Sequence, residues 1–356
     1  MAVIAIGVGA NILLEWEHSW KRRQQAGEET IKKTFFSRQK EGILVSFAIQ
    51  LFTIPLVAYS YYEIPVYAML INLFVLAVVN GLLGLTVLGV IVGMAFLPAG
   101  SVLFAPCGWM LDSYRFLCEV SLKIPGAQRI TGKPAHMRIF WYYLGLGVFL
   151  LAIYACARRN EKHKDGREAA DLCVSRRKKR LQGIVFSCFI AFLLLFLLFP
   201  QKKSFEIDFL DVGQGDGIYL CTGGGTSMFI DGGSTDVKQV GKYRILPFLK
   251  AKGVSEISYW FVSHTDTDHV SGLKEVLVSG YRVEYLVFAK AVEKEAKTKE
   301  LAELARSHGT KVLYMQAGDT VRSKRAAMRC LYPKAADKAE DVNDLCLVLQ
   351  FEEGDI

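Results

Sequence analysis

The chain of 356 residues lacks the cysteine spacing of small metal and redox domains. It has eight cysteines, but no two of them form a Cys-x-x-Cys pair. This absence argues against a zinc ribbon and against a thioredoxin-like redox motif. The sequence leaves open whether Cys221, Cys330 and Cys346 form a disulfide. Histidine is also scarce, with six in the whole chain, so histidines close together are informative.

The N-terminal residues lack the features of a signal peptide. Their apolar run, AVIAIGVGANILL, has about 13 residues, short of the roughly 20 that cross a bilayer. No basic residue precedes it and no small-residue cleavage site follows it. We interpret the run as a helix cut at its start, and we expect the chain to be a fragment truncated at both ends.

Acidic residues are scarce in the first part of the chain. Residues 1–203 contain 24 Lys and Arg against 12 Asp and Glu, a net charge of +12, whereas residues 204–356 contain 19 against 23, a net charge of −4. The excess positive charge lies mostly in segments 15–42 and 158–180, between apolar runs. The positive-inside rule places such segments in the cytoplasm, so topology explains them more simply than nucleic-acid binding does.

Long apolar runs predict an α-helical membrane domain over residues 1–203, with about six hydrophobic segments including the partial first one. Segment 64–105 is long enough for two spans, with a reversal at Asn80-Gly81, and segment 106–138 looks interfacial. Four crossings then separate the basic segments, which directs the last span outward. The alternative, in which 64–105 is one tilted or re-entrant element, breaks this parity. The complete spans are predicted at 42–62, within 64–105 (two), at 140–157 and at 183–200.

Residues 204–356 show short strand-like runs that alternate with helix-like ones, the pattern of a layered α/β domain. Strands are predicted at 205–212, 217–222, 226–231, 257–263, 283–289, 311–315, 328–333 and 345–351, and helices at 240–252, 271–279 and 295–308.

The strongest chemical signal is the run His264-Thr-Asp266-Thr-Asp268-His269, directly after an apolar strand. If the loop stays extended, positions 264, 266 and 268 project toward one site, and His269 turns in as a helix begins. Imidazole and carboxylate ligands suit zinc, manganese or iron. The alternative is a polar loop in which Asp268 caps the helix.

Two glycine-containing motifs precede this run. Asp211-Val-Gly-Gln214-Gly-Asp216 is a tight turn between strands, and its two carboxylates and Gln214 could form the rim of a site. Asp231-Gly-Gly could place a carboxylate where it hydrogen-bonds a ligand histidine. Plain structural turns are the alternative for both motifs.

Residues 263–269, Ser-His-Thr-Asp-Thr-Asp-His, resemble the metal-binding motif of the metallo-β-lactamase superfamily, most of whose members have His where this chain has Asp266. Together with the motifs at 211–216 and 231–233 and the preceding membrane half, they resemble ComEC-family DNA-internalisation competence proteins. The resemblance implies an αββα sandwich over 204–356, incomplete at its C-terminus because further ligands are expected later in the chain.

The same resemblance implies two divalent metals, zinc or manganese, in the complete site. His264 and Asp266 would hold one, and Asp268 and His269 the other, with Asp268 also acting in catalysis. The implied function is uptake of single-stranded DNA through a multi-pass channel in the bacterial inner membrane, with an extracytoplasmic nuclease domain that degrades the other strand. The implied partners are single- and double-stranded DNA, the lipid bilayer, other uptake proteins and further copies of the chain.

Two other functions stay open at this stage. The chain could be a membrane-anchored metallohydrolase of a small ester, lactone or nucleotide, or a transport or binding module with a degenerate hydrolase domain. Six hydrophobic segments favour a channel over an anchor, which needs one or two. Asn72 and Asn80 could line a path or contact a neighbouring helix.

Overall fold

The computed structural model describes residues 35–162, 171–199, 204–323, 326–339 and 342–354. The predicted partial first helix and parts of both basic segments lie outside the described residues. The chain divides into two compact units, Met1–Phe199 and Pro200–Ile356.

The N-terminal unit is helical over its described residues, with one short pair of strands. Strand β1 (Glu63–Pro65) pairs antiparallel with β2 (Gln128–Ile130). The helices are α1 (Phe35–Tyr61), α2 (Ala68–Ala95), α3 (Leu97–Lys123), α4 (His136–Lys162) and α5 (Asp171–Leu198).

Helix α1 contains Pro55, which has no N–H to donate to the carbonyl of Leu51. The hydroxyl of Tyr142 on α4, which is fully buried, donates to this carbonyl at 2.8 Å. The neighbouring hydroxyl of Tyr143 donates to the carbonyl of Phe52 at 2.9 Å. Two tyrosines of α4 therefore satisfy backbone groups of α1 at its proline, and apolar residues of α1, α4 and α5 pack around them.

The predicted reversal at Asn80-Gly81 is wrong, because α2 runs unbroken through both residues. The chain reverses at Phe96, the single non-helical residue between α2 and α3. Pro98 explains this position, since its ring cannot continue α2 but fits the first turn of α3. A β-carbon on Gly100 would lie 2.9 Å from the backbone nitrogen of Gly93, so these glycines let α2 and α3 approach closely.

Among the described residues, one helical segment, His136–Ala155, is long and apolar enough to cross a membrane by length and composition. Three shorter apolar segments are Val45–Tyr61, Gly81–Ala95 and Gly183–Leu198. The stretch 106–138, predicted as one interfacial segment, is divided among the second half of α3, strand β2 and the start of α4.

The C-terminal unit is an α/β domain. Strand β9 has no counterpart among the predicted strands, and the predicted helix 240–252 consists of a π-helical turn, Gly241–Ile245, followed by a short α-helix. The helices are α6 (Leu246–Ala251), α7 (Thr267–Val278) and α8 (Ala296–Ser307). The strands are β3 (Glu206–Phe209), β4 (Gly217–Cys221), β5 (Ser227–Asp231), β6 (Glu256–Phe261), β7 (Arg282–Ala289), β8 (Lys311–Met315), β9 (Thr320–Ser323), β10 (Ala326–Tyr332) and β11 (Val348–Glu353).

Strands β3 to β8 form one six-stranded sheet in sequence order, and β9, β10 and β11 form a second, antiparallel sheet. In the large sheet β3, β4 and β5 are antiparallel neighbours, whereas β5 to β8 are parallel. Parallel strands need crossover connections, and α6, α7 and α8 supply them in turn.

The large sheet buries both of its faces. On one face Phe229 and Trp260 pack with Leu273 of α7 and Leu301 of α8 in one core cluster. On the other face sheet residues pack with Met328 and other apolar side chains of the small sheet. The unit therefore has three layers, in the order helices, large sheet, small sheet. These are three of the four layers of the predicted αββα sandwich, whose outer helical layer stays a prediction.

Candidate metal centre

The site lies at one edge of the large sheet, where the parallel neighbours β5 and β6 both end. Phe229 pairs with Trp260 and Ile230 with Phe261, so Asp231 at the end of β5 lies beside the residues that follow β6. The antiparallel strand β4 begins at the same edge, because Gly217 pairs with Asp231. The sheet register thus brings the loops 210–216, 232–240 and 262–266 together.

Glycines let two of these loops approach α7 closely. A β-carbon on Gly233 would overlap backbone atoms of Thr267, Asp268 and His269 in the first turn of α7. A β-carbon on Gly215 would overlap the carbonyl oxygens of Asp268 and Gly233. Both motifs therefore need glycine because their backbones pack closely against the helix turn that carries the candidate ligands. A plain turn would not impose this requirement.

Three of the four predicted metal ligands come together. One ligand atom each of His264, Asp268 and His269 lies within 4.8 Å of the others. The two imidazole rings have centroids 3.8 Å apart, and Oδ2 of Asp268 lies 3.6 Å from Nε2 of His269. All three side chains are partly buried, so solvent can still reach the group.

Asp231 organises this group through its carboxylate. It is 4 % exposed, and the carboxylate accepts hydrogen bonds from the backbone N–H and the hydroxyl of Ser263, both at 2.8 Å. Nδ1 of His269 lies 3.0 Å from the same carboxylate. An ionised carboxylate can only accept, so His269 carries its proton on Nδ1 and keeps the lone pair of Nε2 available.

Ser263 fixes the second imidazole in the same way. Its hydroxyl hydrogen is donated to Asp231, and its oxygen lies 3.0 Å from Nδ1 of His264. When Nδ1 of His264 donates to the Ser263 oxygen, Nε2 of His264 is unprotonated and available to a metal. Two imidazole lone pairs and the Asp268 carboxylate form a donor set that suits a divalent transition metal, so these residues fit the implied metal.

The pKa values of the two histidines move in opposite directions. Burial lowers the pKa of His264, and the neighbouring His269 lowers it further. Burial also acts to lower the pKa of His269, but the hydrogen bond to Asp231 and the charge of that carboxylate outweigh it, and the pKa is raised. His264 is thus held neutral, the form that binds metal.

Asp266 does not join this group. Helix α7 begins at Thr267, so the loop is not extended through position 268 as the sequence predicted, and Asp268 and His269 project from the first helical turn. Nζ of Lys297 on α8 lies 2.8 Å from Oδ1 of Asp266. The hydrogen bond from Lys297 lowers the pKa of the Asp266 carboxyl. The role of Asp266 as a metal ligand stays a prediction.

The predicted rim residues occupy different places. Asp216 lies closest, with Oδ2 3.9 Å from Nδ1 of His269, and it can form a second group of metal-binding atoms with Asp231 and His269. The backbone N–H of Gln214 donates to Asp236 at 2.8 Å. Asp211 is exposed and lies 3.5 Å from Arg244. Only Asp216 of these three is placed near the candidate ligands.

Three residues at the site were not predicted, namely Ser263 as a hydrogen-bonding residue, Lys297 and Cys346. Sγ of Cys346 lies 3.4 Å from Nδ1 of His264 although 82 positions separate them in the chain. Cys221, Cys330 and Cys346 are all among the described residues, and they form no disulfide with one another. A signal for Ser263 was present in its position next to the motif, whereas the sequence has no local signal for Lys297 or Cys346.

Comparisons with known proteins support the family that the sequence resembles. The model of the competence protein family matches residues 2–155. ComE operon protein 3 of Bacillus subtilis is 28% identical over an alignment of 199 positions that covers 51% of this chain and 25% of that protein. Recombination protein 2 of Haemophilus influenzae is 31% identical over 106 residues, which are 29% of this chain and 13% of that protein.

Together these matches support a ComEC-family protein. The chain spans a quarter or less of the length of these two relatives. Among solved structures, a metallo-β-lactamase mutant from Cronobacter sakazakii aligns with 35% of this chain and 50% of its own, at 15% identity and a TM-score of 0.27. CmlA, a diiron β-hydroxylase from Streptomyces venezuelae, aligns with 47% of this chain and 30% of its own, at 15% identity and a TM-score of 0.28. The layers of the C-terminal unit, and not these alignments, define the fold of that unit.

Proposed function

We propose that the chain is part of a bacterial inner-membrane protein that takes up single-stranded DNA in natural transformation, and that its C-terminal unit hydrolyses the strand that is not imported. The observation that carries this proposal is the group His264, Asp268 and His269, preorganised by Asp231, in a chain of the competence family. The membership supports DNA as the substrate, and the group supports hydrolysis.

In this proposal His264, Asp268 and His269 would hold a divalent metal, zinc or manganese, and Asp216 is a further carboxylate nearby. A metal in such a site activates a water molecule and neutralises charge on a phosphoryl oxygen. Asp231 and Ser263 hold both imidazoles with Nε2 available, and Asp268 orients the attacking water. Because the group is only partly buried, a flexible strand of DNA can reach it.

We also propose that the N-terminal unit crosses the membrane several times and that the C-terminal unit is extracytoplasmic. Four helices, α1 to α4, lie between the two basic segments of the sequence. If all four cross, both basic segments return to the cytoplasmic side, and α5 then runs outward. The apolar segments within α1, α2, α4 and α5 support crossings by these four helices, and the crossing by α3 is part of the proposal.

The test of hydrolysis uses the full-length protein in detergent micelles with a fluorescent single-stranded oligonucleotide. We expect cleavage that depends on added manganese or zinc, stops with chelator, and is lost in Asp268→Asn. His308→Gln is the matched control, since His308 lies at the end of α8, 2.9 Å from the Leu304 carbonyl. A protein that hydrolyses lactones or esters and leaves DNA intact would contradict the proposal and favour the metallohydrolase alternative.

The test of orientation is protease accessibility. Protease added outside intact spheroplasts should cut the C-terminal unit, as shown by loss of an epitope placed after it. Protection of that unit until the membrane is permeabilised would contradict the extracytoplasmic placement, and would leave the hydrolysis proposal standing.

A further inference from the structure

The C-terminal unit carries a basic surface beside the candidate metal centre. Residues 237–255 contain five Lys and Arg and no Asp or Glu, although the unit as a whole has a net charge of −4. Lys238, Lys242 and Arg244 are exposed members of this run, and so is Tyr243 between the last two. We call these four residues the basic strip.

A π-helical turn produces the exposed part of the strip. In Gly241–Ile245 the first and last residues are buried, and the three residues between them are all exposed. The wider turn displays three successive side chains, a cation on each side of an aromatic ring. The side chain of Tyr243 is 61 % exposed, and Nζ of Lys242 lies 5.0 Å from its ring centroid. Such turns occur frequently at functional sites.

The strip is held firmly against the helix that carries the candidate ligands. A β-carbon on Gly241 would overlap the carbonyl oxygen of Gly272 in α7. The backbone N–H of Lys242 donates to Oε2 of Glu275, also in α7, at 3.0 Å. The strip is therefore a fixed surface, and a ligand bound there would not have to order a loop.

The strip also lies beside a loop that reaches the candidate metal centre. Nη1 of Arg244 lies 3.5 Å from Oδ2 of Asp211, the first residue of the loop that ends at Asp216. Asp216 in turn lies 3.9 Å from His269. The strip therefore adjoins the first residue of a loop whose last residue lies near the candidate ligands, a placement that favours a polymer of phosphates over lipid headgroups.

We propose that the basic strip binds single-stranded DNA, with backbone phosphates on Lys238, Lys242 and Arg244 and one unpaired base stacked on Tyr243. Single-strand sites typically combine cations along the backbone with aromatic rings on which bases stack. The inference rests on the proposed function for its ligand and adds the residues that bind it. Duplex DNA keeps its bases paired, so the exposed ring favours the single strand.

The test measures fluorescence anisotropy of a short single-stranded oligonucleotide with the full chain in detergent micelles, in the presence of chelator so that no cleavage occurs. Tyr243→Ala should weaken binding at least about fivefold, because stacking is worth roughly 1 kcal/mol or more per base. Tyr243→Phe keeps the ring and should bind as the wild type does. Lys242→Gln with Arg244→Gln should reduce the slope of log affinity against log salt by about 1.4, or about 0.7 for each phosphate that is no longer neutralised.

The matched control is Arg306→Gln with Lys311→Gln, two exposed cations of the same unit that lie at the end of α8 and the start of β8. This pair should bind the oligonucleotide as the wild type does. Unchanged affinity and salt slope in the strip variants overturn the inference, whether or not those variants respond to phosphatidylglycerol added to the micelles. Asp268→Asn separates the two proposals, since it should abolish cleavage and leave this binding intact.

Discussion

The carboxylate of Asp231 stabilises the end of β5 and also orients the candidate metal ligands. Its replacement by Asn therefore tests its effect on stability and on metal affinity. Asp231 accepts two hydrogen bonds from Ser263 and one from Nδ1 of His269. An Asn side chain can keep the oxygen that accepts from the backbone N–H of Ser263. Its amide group would then face the Ser263 hydroxyl and the His269 ring, so a donor would meet the N–H of His269.

Two hydrogen bonds to a charged group are removed or rearranged in Asp231→Asn. Each is worth about 1.5–3 kcal/mol, and new contacts of the amide offset part of the loss, so we expect a destabilisation of about 2–3 kcal/mol. His269 can relieve the clash by moving its proton to Nε2. That tautomer has no lone pair on Nε2, so metal affinity should fall by about 10–100-fold.

Hydrogen exchange and calorimetry measure the two effects. A destabilisation of about 2 kcal/mol should speed exchange of β6 amides by about 30-fold when exchange reports global opening. Titration with manganese or zinc gives the metal affinity. Asp319→Asn is the control, since Asp319 is exposed in a turn and its carboxylate accepts from the Gln316 N–H. Asp231→Asn with wild-type exchange and wild-type metal affinity would refute the reasoning.

The choice of Asn also isolates the carboxylate from the backbone. Asp231 has a φ of +59°, in the left-handed region, which Asn tolerates well. Asp231→Ala would add a backbone penalty of about 1–2 kcal/mol and would leave the Ser263 N–H without an acceptor. We therefore expect Ala to be the more destabilising change, and equal effects of the two would contradict the role given to the backbone at this position.

Other variants address neighbouring parts of the site. Gly233→Ala should displace the first turn of α7 and abolish metal binding in titration calorimetry, whereas Gly354→Ala, which has open space, should have no effect. Trp260→Phe removes the indole N–H that donates to the Asp231 carbonyl at 2.6 Å and should cost about 2–4 kcal/mol, measured by hydrogen exchange; an unchanged protection of β6 would contradict this. Lys297→Gln should leave the melting temperature nearly unchanged in a thermal melt, because its ion pair is exposed.

Local patterns in the sequence predicted most of the sheet. Strand β6 follows from an apolar run that turn residues bound on both sides, and the helix ending at Ser307 is closed by a glycine, as the sequence indicates. Strand β9 was missed because Thr320–Ser323 is short and mixed, and its pairing with β10 rather than its own pattern makes it a strand. Tertiary pairing of this kind leaves no mark in a local window.

In the N-terminal unit a turn-like residue pair was misleading and a proline was informative. Asn80-Gly81 is a strong turn pair in soluble proteins, yet α2 continues through it because a glycine inside a helix costs only about 1 kcal/mol. Pro98 marked the true break, since a proline removes a hydrogen bond and also clashes with the preceding turn. In this apolar stretch the steric effect of a proline is therefore a better indicator of a helix end than the turn propensity of an Asn-Gly pair.

Some residues of the candidate site could be predicted from neighbouring sequence, and others could not. His264, Asp268 and His269 are close in sequence, and the strand end and helix start between them bring their side chains together. Lys297 reaches the site from a helix that begins about thirty residues later, and only the packing of α7 with α8 brings it there. No spacing in the sequence indicates such a neighbour.

Lys297 also makes the role of Asp266 testable. If Asp266 binds the metal together with His264, the ammonium group of Lys297 competes for the same carboxylate, and Lys297→Gln should raise metal affinity severalfold. Removing a positive charge near the site would raise metal affinity even if Asp266 is not a ligand. The single variant therefore does not show whether Asp266 binds the metal. In the Asp266→Asn background the competition is gone and only this general effect remains. A gain from Lys297→Gln that is equal in both backgrounds would show that Asp266 is not a ligand, and Lys299→Gln, which removes another exposed cation of α8, is the control for charge alone.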